Sequence, residues 1–334
     1  MSARSRRVVV TQRFFDDETR AWLEGQGCEV IIADLPPGKG DGDFTPDELK
    51  ALLAGAGGWI VGHARVTRDL LAALPMLEVI SRRGVGYERV DLDAARDLGK
   101  VVAIAAGGND ASVADHTIAL MLAVGRRFRE SQARMQAGDW TILTGSDLYR
   151  KTVGVVGAGR IGRSVVQRLA GFEAEVLVHT SSPDAAWAAR AGVTYAGMDE
   201  LLSRSDYLTL HAPLTPATRF LIDKRAMAAM KPGAIVINTA RGGLVDDEAL
   251  LEALKSGHLG GAGLDTFMSE SDPDWRPVTE ALLALPNVVA TPHAAASSRE
   301  GLQRTNQVAA RSVVAVFDDG QPEPGCVVAD GRAR

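Results

Sequence analysis

Over most of its length the chain alternates between short apolar runs rich in valine and isoleucine and longer amphipathic runs of helical period. "RVVVT", "CEVII", "GWIVG", "LEVIS" and "VVAIA" come first, separated by "DDETRAWLEGQG", "TPDELKALLAG", "TRDLLAAL" and "DLDAARDLG". A second series runs through "TVGVV", "EVLVH", "YLTLH", "AIVIN", "GAGLD" and "NVVAT". Strands with a helix between each pair lie parallel, because the helix carries the chain back to the starting edge of the sheet. The order predicts an α/β fold with two doubly wound parallel-sheet domains. One helix start is spelled out locally: Thr45 can cap, Pro46 suits the first helical position, and Glu48 completes a capping box. A long helical pattern from about Asn109 to Ala137 joins the two series, with no breaker before Gly125. The run "SSREGLQRTNQVAARSVVAVFDD" reads as a last helix, followed by a short tail rich in proline and glycine. That helix can return to the first sheet. The first domain is then discontinuous, 1–106 and 296–334, and the second is 107–295.

A chain of 334 residues has room for two such domains. Its hydrophobic share of 46% and charged share of 24% are those of an ordinary globular protein. A formal charge of −5 gives no pull towards nucleic acid or an anionic membrane. The apolar stretch "TIALMLAV" falls far short of a membrane span, and the basic start "MSARSRRVVV" lacks a signal-peptide core. Cys28 and Cys326 match no metal spacing and make no disulfide framework. The expectation is a cytoplasmic protein with a small-molecule partner and no metal site.

"VVGAGRIG" places Gly157, Gly159 and Gly162 in the spacing G-x-G-x-x-G, directly after a strand and opening the helical run "GRSVVQRLAG". The first glycine serves the tight turn, the second admits a pyrophosphate, and the third lets helix and strand pack closely. The helix N-terminus offers unpaired N–H groups to an anion. The second domain is therefore read as a Rossmann-type cofactor domain. At the end of the next strand, where a carboxylate would accept from the adenosine ribose, stands Thr180, followed by Ser181 and Ser182. Without that negative charge a 2′-phosphate is not repelled, and the hydroxyls can donate to it. This favours NADP, or dual use, over strict NAD. The alternative is a plain Ser/Thr turn ahead of Pro183. No arginine adjoins Thr180 in sequence.

Three later strands end in residues suited to chemistry. "AIVINTAR" leads to Arg241, "GAGLDTFMSE" carries Asp265 and Glu270, and "NVVATPH" leads to His293. Ligands of open parallel sheets bind outside the carboxyl ends of the strands, so these residues share an edge with the glycine turn. Arg241 has the fork geometry for a carboxylate and an adjacent carbonyl oxygen. His293 can move a proton near neutral pH, and Glu270 can fix its orientation. With a nicotinamide at the same carbon, these parts describe oxidation of a 2-hydroxy acid or reduction of a 2-oxo acid. Singly, each residue is more ordinarily a surface ion-pair partner or a loop residue; their common placement argues otherwise.

From about Trp59 to Ala310 the chain resembles the D-isomer-specific 2-hydroxyacid dehydrogenases, near the phosphoglycerate dehydrogenase and glyoxylate/hydroxypyruvate reductase branch. The motifs that carry the likeness are "VISRRGVGYERVDLDAA", "NDASVADHTIALMLAVGRR", "TVGVVGAGRIG", "HAPLTPATRFLID", "MKPGAIVINTARGGLVDDEAL" and "GAGLDTF". The resemblance implies a Rossmann-type domain inserted in a discontinuous, flavodoxin-like substrate domain. It implies that Arg241 binds substrate, that His293 is the acid/base and that Glu270 partners it. It implies that Asp265 holds the nicotinamide carboxamide and that Arg160 and Ile161 line the pyrophosphate turn. His211, Pro213, Thr239 and Ala240 match cofactor-lining positions. Arg82, Gly84 and Val85 match a loop that reaches the substrate from the other domain. The family also implies a homodimer, here expected through the long helix from Asn109, and the two domains are expected to close and expel water around the transferred hydride.

The sequence departs from the family pattern in several places. Ser271 follows the glutamate where proline is usual, Asp115 stands in place of glutamate, and Thr180 in place of aspartate. "AAASS" follows His293, and Gly62 occupies a position where some phosphoglycerate-specific members carry arginine. His63, Arg65, Arg82 and Arg83 are cations that can compensate. The expected activity is an NAD(P)-dependent D-2-hydroxyacid dehydrogenase. Two rivals stand beside it: a nicotinamide-sensing corepressor-like binding protein, and a formate- or phosphite-type dehydrogenase. The formate branch has glutamine at the position of Glu270.

Overall fold

The computed structural model describes residues 5–35 and 38–332; the first four residues of the basic start lie outside them. Among the described residues thirteen strands appear in chain order: β1 Arg7–Val10, β2 Glu29–Ile32, β3 Gly58–Val61, β4 Val79–Arg82, β5 Val101–Ile104, β6 Thr152–Val156, β7 Glu175–His179, β8 Thr194–Tyr195, β9 Tyr207–Leu210, β10 Ile235–Asn238, β11 Gly261–Leu264, β12 Val288–Ala290 and β13 Val327–Asp330. They form two sheets, and the chain divides into two compact units, Met1–Asn109 with Ala296–Arg334, and Asp110–Ala295.

In the first unit the strand order is β13-β5-β4-β3-β1-β2. Without β13 this is the flavodoxin-like order, with its switch point between β1 and β3. Apolar clusters cover both faces. One gathers Trp59, Val61, Leu70, Leu71 and Ile80, the other Val8, Ile60, Val313 and Phe317. Burial on both sides explains why β3 and β4 are apolar throughout rather than alternating. The helix Pro46–Leu52 starts as its sequence predicts: the Thr45 side chain accepts from the Glu48 N–H and Glu48 reaches back to Thr45. The helix Arg299–Phe317 belongs to this sheet. Its Ala309 carbonyl accepts from the Ser81 hydroxyl, and the Asn306 amide oxygen accepts from Gln12.

The proline- and glycine-rich tail is not featureless. Cys326 is buried, and β13 pairs antiparallel with β5, with a register shift between Val327 and Ala329. Proline and glycine before it marked a loop, and a four-residue edge strand is too short to announce itself by periodicity.

The second unit has seven parallel strands in the order β12-β11-β10-β9-β6-β7-β8. Counted from β6 this is the Rossmann order, and its switch point lies between β6 and β9. The helix predicted from Asn109 to Ala137 is in fact two helices, Asp110–Gly125 and Phe128–Gln136. A Cβ at Gly125 would lie 2.3 Å from the Tyr207 hydroxyl, so the first helix runs directly onto the sheet. Its Gly125 carbonyl accepts from Ser146, and Arg127 turns left-handed with φ 54° before the chain restarts. Val113, Ala114, Ile118, Leu120, Met121 and Val124 are buried in their own unit. No residue of Phe128–Gln136 is buried.

Candidate active site

The strand order places the predicted site residues along one carboxyl edge of the second unit. Thr180 follows β7, Gly157 follows β6, His211 follows β9, Thr239 to Arg241 follow β10, Asp265 follows β11, and His293 follows β12. Arg82, Gly84 and Val85 belong to the first unit, at the carboxyl end of β4. There the Arg82 Nε donates to the Gly86 carbonyl, and the Gly84 carbonyl accepts from Ala105.

The glycine turn has the shape its spacing requires. Gly157 takes φ +99°, and a Cβ there would meet the His211 backbone at 2.7 Å. A Cβ on Gly162 would fall 2.0 Å from the Gly157 carbonyl oxygen, so the helix packs against the turn with no room for a side chain. Gly159 faces open space and caps the helix Arg160–Leu169 without a side-chain hydrogen bond. The turn and the N-terminus of this helix fit a pyrophosphate. Arg160 is exposed and Ile161 half-buried beside them. His211 donates its backbone N–H to Val156, and its Nε2 lies 2.9 Å from the Thr209 hydroxyl. Some surface of the residue remains exposed, but its ring is enclosed enough that burial pushes its pKa down to about 3, which keeps it neutral. Pro213 is exposed at the start of the next loop, and its carbonyl accepts from Thr218.

At the end of β7 the Thr180 hydroxyl accepts from the Ser182 N–H at 3.3 Å, the Ser/Thr turn that was one reading of this stretch. Ser181 is exposed. An arginine does reach this loop, from elsewhere in the chain. Arg163 donates from Nε to the Ala158 carbonyl and from Nη2 to Asp184, and lies 4.6 Å over the Trp187 ring. Only the fold could show it, because Arg163 sits on the helix after the glycine turn rather than beside Thr180.

The chemistry-bearing residues converge on three neighbouring strand ends. Asn238 clamps the turn after β10, its amide donating to the Arg241 carbonyl while its oxygen accepts from Ala240. Thr239 is buried and Ala240 half-buried in that turn. The Arg241 Nη1 donates to the Ala240 carbonyl. Asp265 is fully buried and accepts from the Ala294 and Ala295 N–H groups and the Thr291 hydroxyl. Its own carbonyl accepts from the His293 N–H, so Asp265 holds the loop that carries the histidine. His293 is left-handed at φ 51°, a conformation that a non-glycine residue keeps only when its surroundings enforce it.

Glu270 and His293 are a pair. The Glu270 Oε2 lies 2.7 Å from the His293 Nδ1, and its Oε1 accepts from the Phe267 N–H at 2.7 Å. Burial alone would raise the Glu270 carboxyl, but the hydrogen bond and charge of His293, the Phe267 N–H and the charge of Arg241 outweigh it and hold it below the usual range. An ionised carboxylate only accepts, so the His293 Nδ1 carries the hydrogen and Nε2 is left for a ligand. Serine stands at 271 in place of the family's proline, and the Glu270–His293 pair forms beside it. Ser271 donates from both its N–H and its hydroxyl to the Met268 carbonyl, closing the short turn.

Behind Glu270 is a carboxyl that sequence reading passed over. Asp247 is buried and accepts from the Met268 N–H at 3.1 Å. Burial first, then the neighbouring charges of Asp246 and Glu270, push its pKa up to about 6 against the pull of Met268. A raised acid pKa favours the folded state while the proton stays on. That advantage is complete below the ordinary value of 3.8 and is lost as pH rises through about 6. Asp247→Asn keeps the acceptor for Met268 and removes the ionisation. We expect it to stabilise the protein at pH 8 by on the order of 2 kcal/mol, with the gain vanishing towards pH 4. Thermal melts across that range check this, and a gain independent of pH would refute it.

A glycine turn shaped for a pyrophosphate, a forked cation and a paired imidazole thus share one sheet edge. Residues 118–295 match the family model "D-isomer specific 2-hydroxyacid dehydrogenase, NAD binding domain". The chain is 42% identical over 313 residues to a D-3-phosphoglycerate dehydrogenase of Mycobacterium leprae, covering 93% of this chain and 55% of that protein. It is 37% identical over 262 residues to a hydroxypyruvate reductase of Thermotoga maritima, covering 77% and 84%. Among solved structures, D-lactate dehydrogenase from Aquifex aeolicus, complexed with NAD and lactic acid, superposes with a TM-score of 0.79 at 27% identity over 96% of this chain and 98% of that one. The chain belongs to the D-isomer-specific 2-hydroxyacid dehydrogenase family. It spans about half the length of the phosphoglycerate dehydrogenases it matches. Among the described residues no helix is long and apolar enough to cross a membrane, and no group of three or more His, Cys, Asp or Glu is placed to hold a metal.

Proposed function

We propose that this chain is an NAD(P)-dependent oxidoreductase interconverting a D-2-hydroxy acid and its 2-oxo acid. The reading rests on the 2.7 Å pair of Glu270 and His293 at the edge that carries Arg241 and the glycine turn. When bound, the nicotinamide supplies or takes up the hydride. Arg241 holds the substrate carboxylate and polarises the neighbouring carbonyl oxygen. The His293 Nε2 gives the proton to that oxygen in reduction and takes it back in oxidation, while Glu270 keeps Nδ1 protonated and the ring in place. Asp265 orients the carboxamide through its remaining lone pairs. Arg160 and Ile161 lie along the pyrophosphate, and His211, Pro213, Thr239 and Ala240 line the cofactor. Residues up to 106 with 296–334 form the substrate domain, where Arg82, Gly84 and Val85 contact substrate, and 107–295 form the cofactor domain.

The substrate we favour is a short, unphosphorylated 2-oxo acid such as hydroxypyruvate or glyoxylate. At the switch point of the first sheet, the buried Asp41 carboxylate accepts from the Gly62 and His63 N–H groups and the Thr11 hydroxyl. A Cβ at Gly62 would lie 2.9 Å from Asp41. Position 62 thus offers no cation, and the group that lies against it is a carboxylate. A steady-state panel of 2-oxo acids with NADH and NADPH tests both parts. No turnover of any acid overturns the activity, and a preference for 3-phosphohydroxypyruvate overturns the substrate.

For the cofactor we favour NADP, because Thr180 stands in place of the ribose-binding carboxylate and because Arg163 lies against the same loop. Thr180→Asp is expected to shift the ratio of kcat/KM values towards NADH by roughly tenfold, the scale of one charge placed against a phosphate. An unchanged ratio would show that Thr180 does not read the 2′ position.

We further propose a homodimer in the cytosol, where the buried thiols of Cys28 and Cys326 stay reduced. The contact surface moves from the buried helix Asp110–Gly125 to the segment 128–149 beyond it. Phe128, Met135, Trp140, Ile142 and Tyr149 are exposed, Trp140 to 74% and Ile142 to 92%, and large exposed apolar side chains in one segment mark an interface. A monomeric mass in light scattering would refute this.

A further inference from the structure

The helix Asp110–Gly125 does more than cover the sheet. Two successive residues on it reach hydroxyls at the strand ends where the cofactor is read. Thr117 donates to the Val113 carbonyl, so at 2.9 Å it accepts from the Thr239 hydroxyl. Next to it, the His116 Nε2 lies 2.9 Å from the Thr291 hydroxyl. Thr291 spends its one proton on Asp265, so its oxygen accepts from His116, and the imidazole carries its hydrogen on Nε2. His116 is also 3.8 Å from the Asp265 carboxylate. The chain His116, Thr291, Asp265 thus crosses from the helix to the end of β11, within one compact unit.

We infer that His116 is a positioning residue for the nicotinamide end of the cofactor, acting through Thr291 on Asp265. The Asp265 Oδ1 is saturated by Thr291 and the Ala294 N–H, while Oδ2 accepts only from the Ala295 N–H among these donors. This division turns the free lone pair of Oδ2 in one direction. His116 fixes the rotor of Thr291, and Thr291 fixes which oxygen of Asp265 remains available. Without the imidazole the Thr291 hydroxyl is free to rotate, and the carboxylate loses its single orientation. The adenosine and pyrophosphate ends depend on β6 and β7 and do not feel the change. The inference rests on the dinucleotide reading above.

The test compares whole cofactors with their nicotinamide-free halves. Wild type, His116→Leu, His116→Gln, Thr291→Val and Thr291→Ser are titrated with NADPH and NADH, then with ADP-ribose and its 2′-phosphate, following intrinsic tryptophan fluorescence. His116→Leu and Thr291→Val should weaken the reduced dinucleotide roughly tenfold, about one buried hydrogen bond, and leave the ADP-ribose forms unchanged. His116→Gln, which still offers an N–H, and Thr291→Ser should restore binding. Equal loss for dinucleotide and ADP-ribose would make His116 a general structural support and overturn the inference, as would no loss at all. If the Leu and Val variants fail to fold, His116→Ala and Thr291→Ala take their place, with the same selective loss expected and equal loss or no loss overturning the inference. Wild-type protein that binds neither dinucleotide nor ADP-ribose overturns the dinucleotide reading and this inference with it. Binding of ADP-ribose alone leaves the turn intact and removes the nicotinamide end.

Discussion

If the proposed function holds, His293→Ala is expected to lower kcat by roughly a hundred- to ten-thousand-fold and to leave the affinity for the dinucleotide near that of wild type. The size follows from the role. The carbonyl oxygen of the 2-oxo acid becomes an alkoxide unless a proton arrives as the carbon is reduced, and the His293 Nε2 is the group whose partner on Nδ1 makes it a donor. The Glu270 carboxylate at 2.7 Å supports the positive charge before transfer and receives Nδ1–H in the same place afterwards. The backbone at 293 is left-handed, so alanine adds some strain. His293→Asn separates the two effects, because asparagine tolerates that conformation and cannot move a proton at neutral pH. Both variants should lose turnover alike. Single-turnover reduction of a 2-oxo acid by bound NADPH reads the chemical step directly, and a rate within a few-fold of wild type in His293→Asn would remove this residue from proton transfer.

The second large effect is at Arg241. Arg241→Ala should lower kcat/KM for the 2-oxo acid by roughly thirty- to several-thousand-fold, the consequence of losing about 2–5 kcal/mol from a charge-paired, desolvated contact. Arg241→Lys should recover only part of it, because an ammonium has the charge without the planar fork that spans carboxylate and carbonyl together. The clamp of Asn238 on the Arg241 carbonyl keeps the backbone in place in either variant, so dinucleotide affinity should hold. A variant with normal kinetics for the acid and weakened NADPH would assign Arg241 to the cofactor instead. Glu270 should also titrate closer to the ordinary carboxylate range in Arg241→Ala, since the guanidinium charge is one of the influences holding it low.

Both residues were legible in the sequence for a simple reason. In a doubly wound sheet every strand delivers the residue after it to the same edge, so Arg241, Asp265, Glu270 and His293 could be gathered from their positions after apolar runs. The turn glycines were legible because their spacing carries a steric requirement that Gly157 and Gly162 meet in detail. Asp247, His116 and Arg163 were not. Asp247 looks like part of a helix start beside the capping Asp246, and nothing local says that the Met268 turn folds back onto it. His116 looks like one polar residue on a helix, and its partner Thr291 is 175 positions away. The break between Gly125 and Phe128 escaped because arginine is a good helix former. It is Tyr207, from a distant strand, that brings the helix end against the sheet.

What the sequence determined by itself is the period of the long segments, the parallel direction of the strands that helices separate and the identity of the groups that emerge at their ends. Those come from local stereochemistry and the burial of apolar faces, which neighbouring residues dictate. The tertiary structure alone decided which strand lies beside which. It thereby decided which hydroxyl meets His116, which carboxyl sits behind Glu270 and which guanidinium lies against the loop after β7. Contacts of that kind depend on distances across the sheet, and no spacing along the chain encodes them.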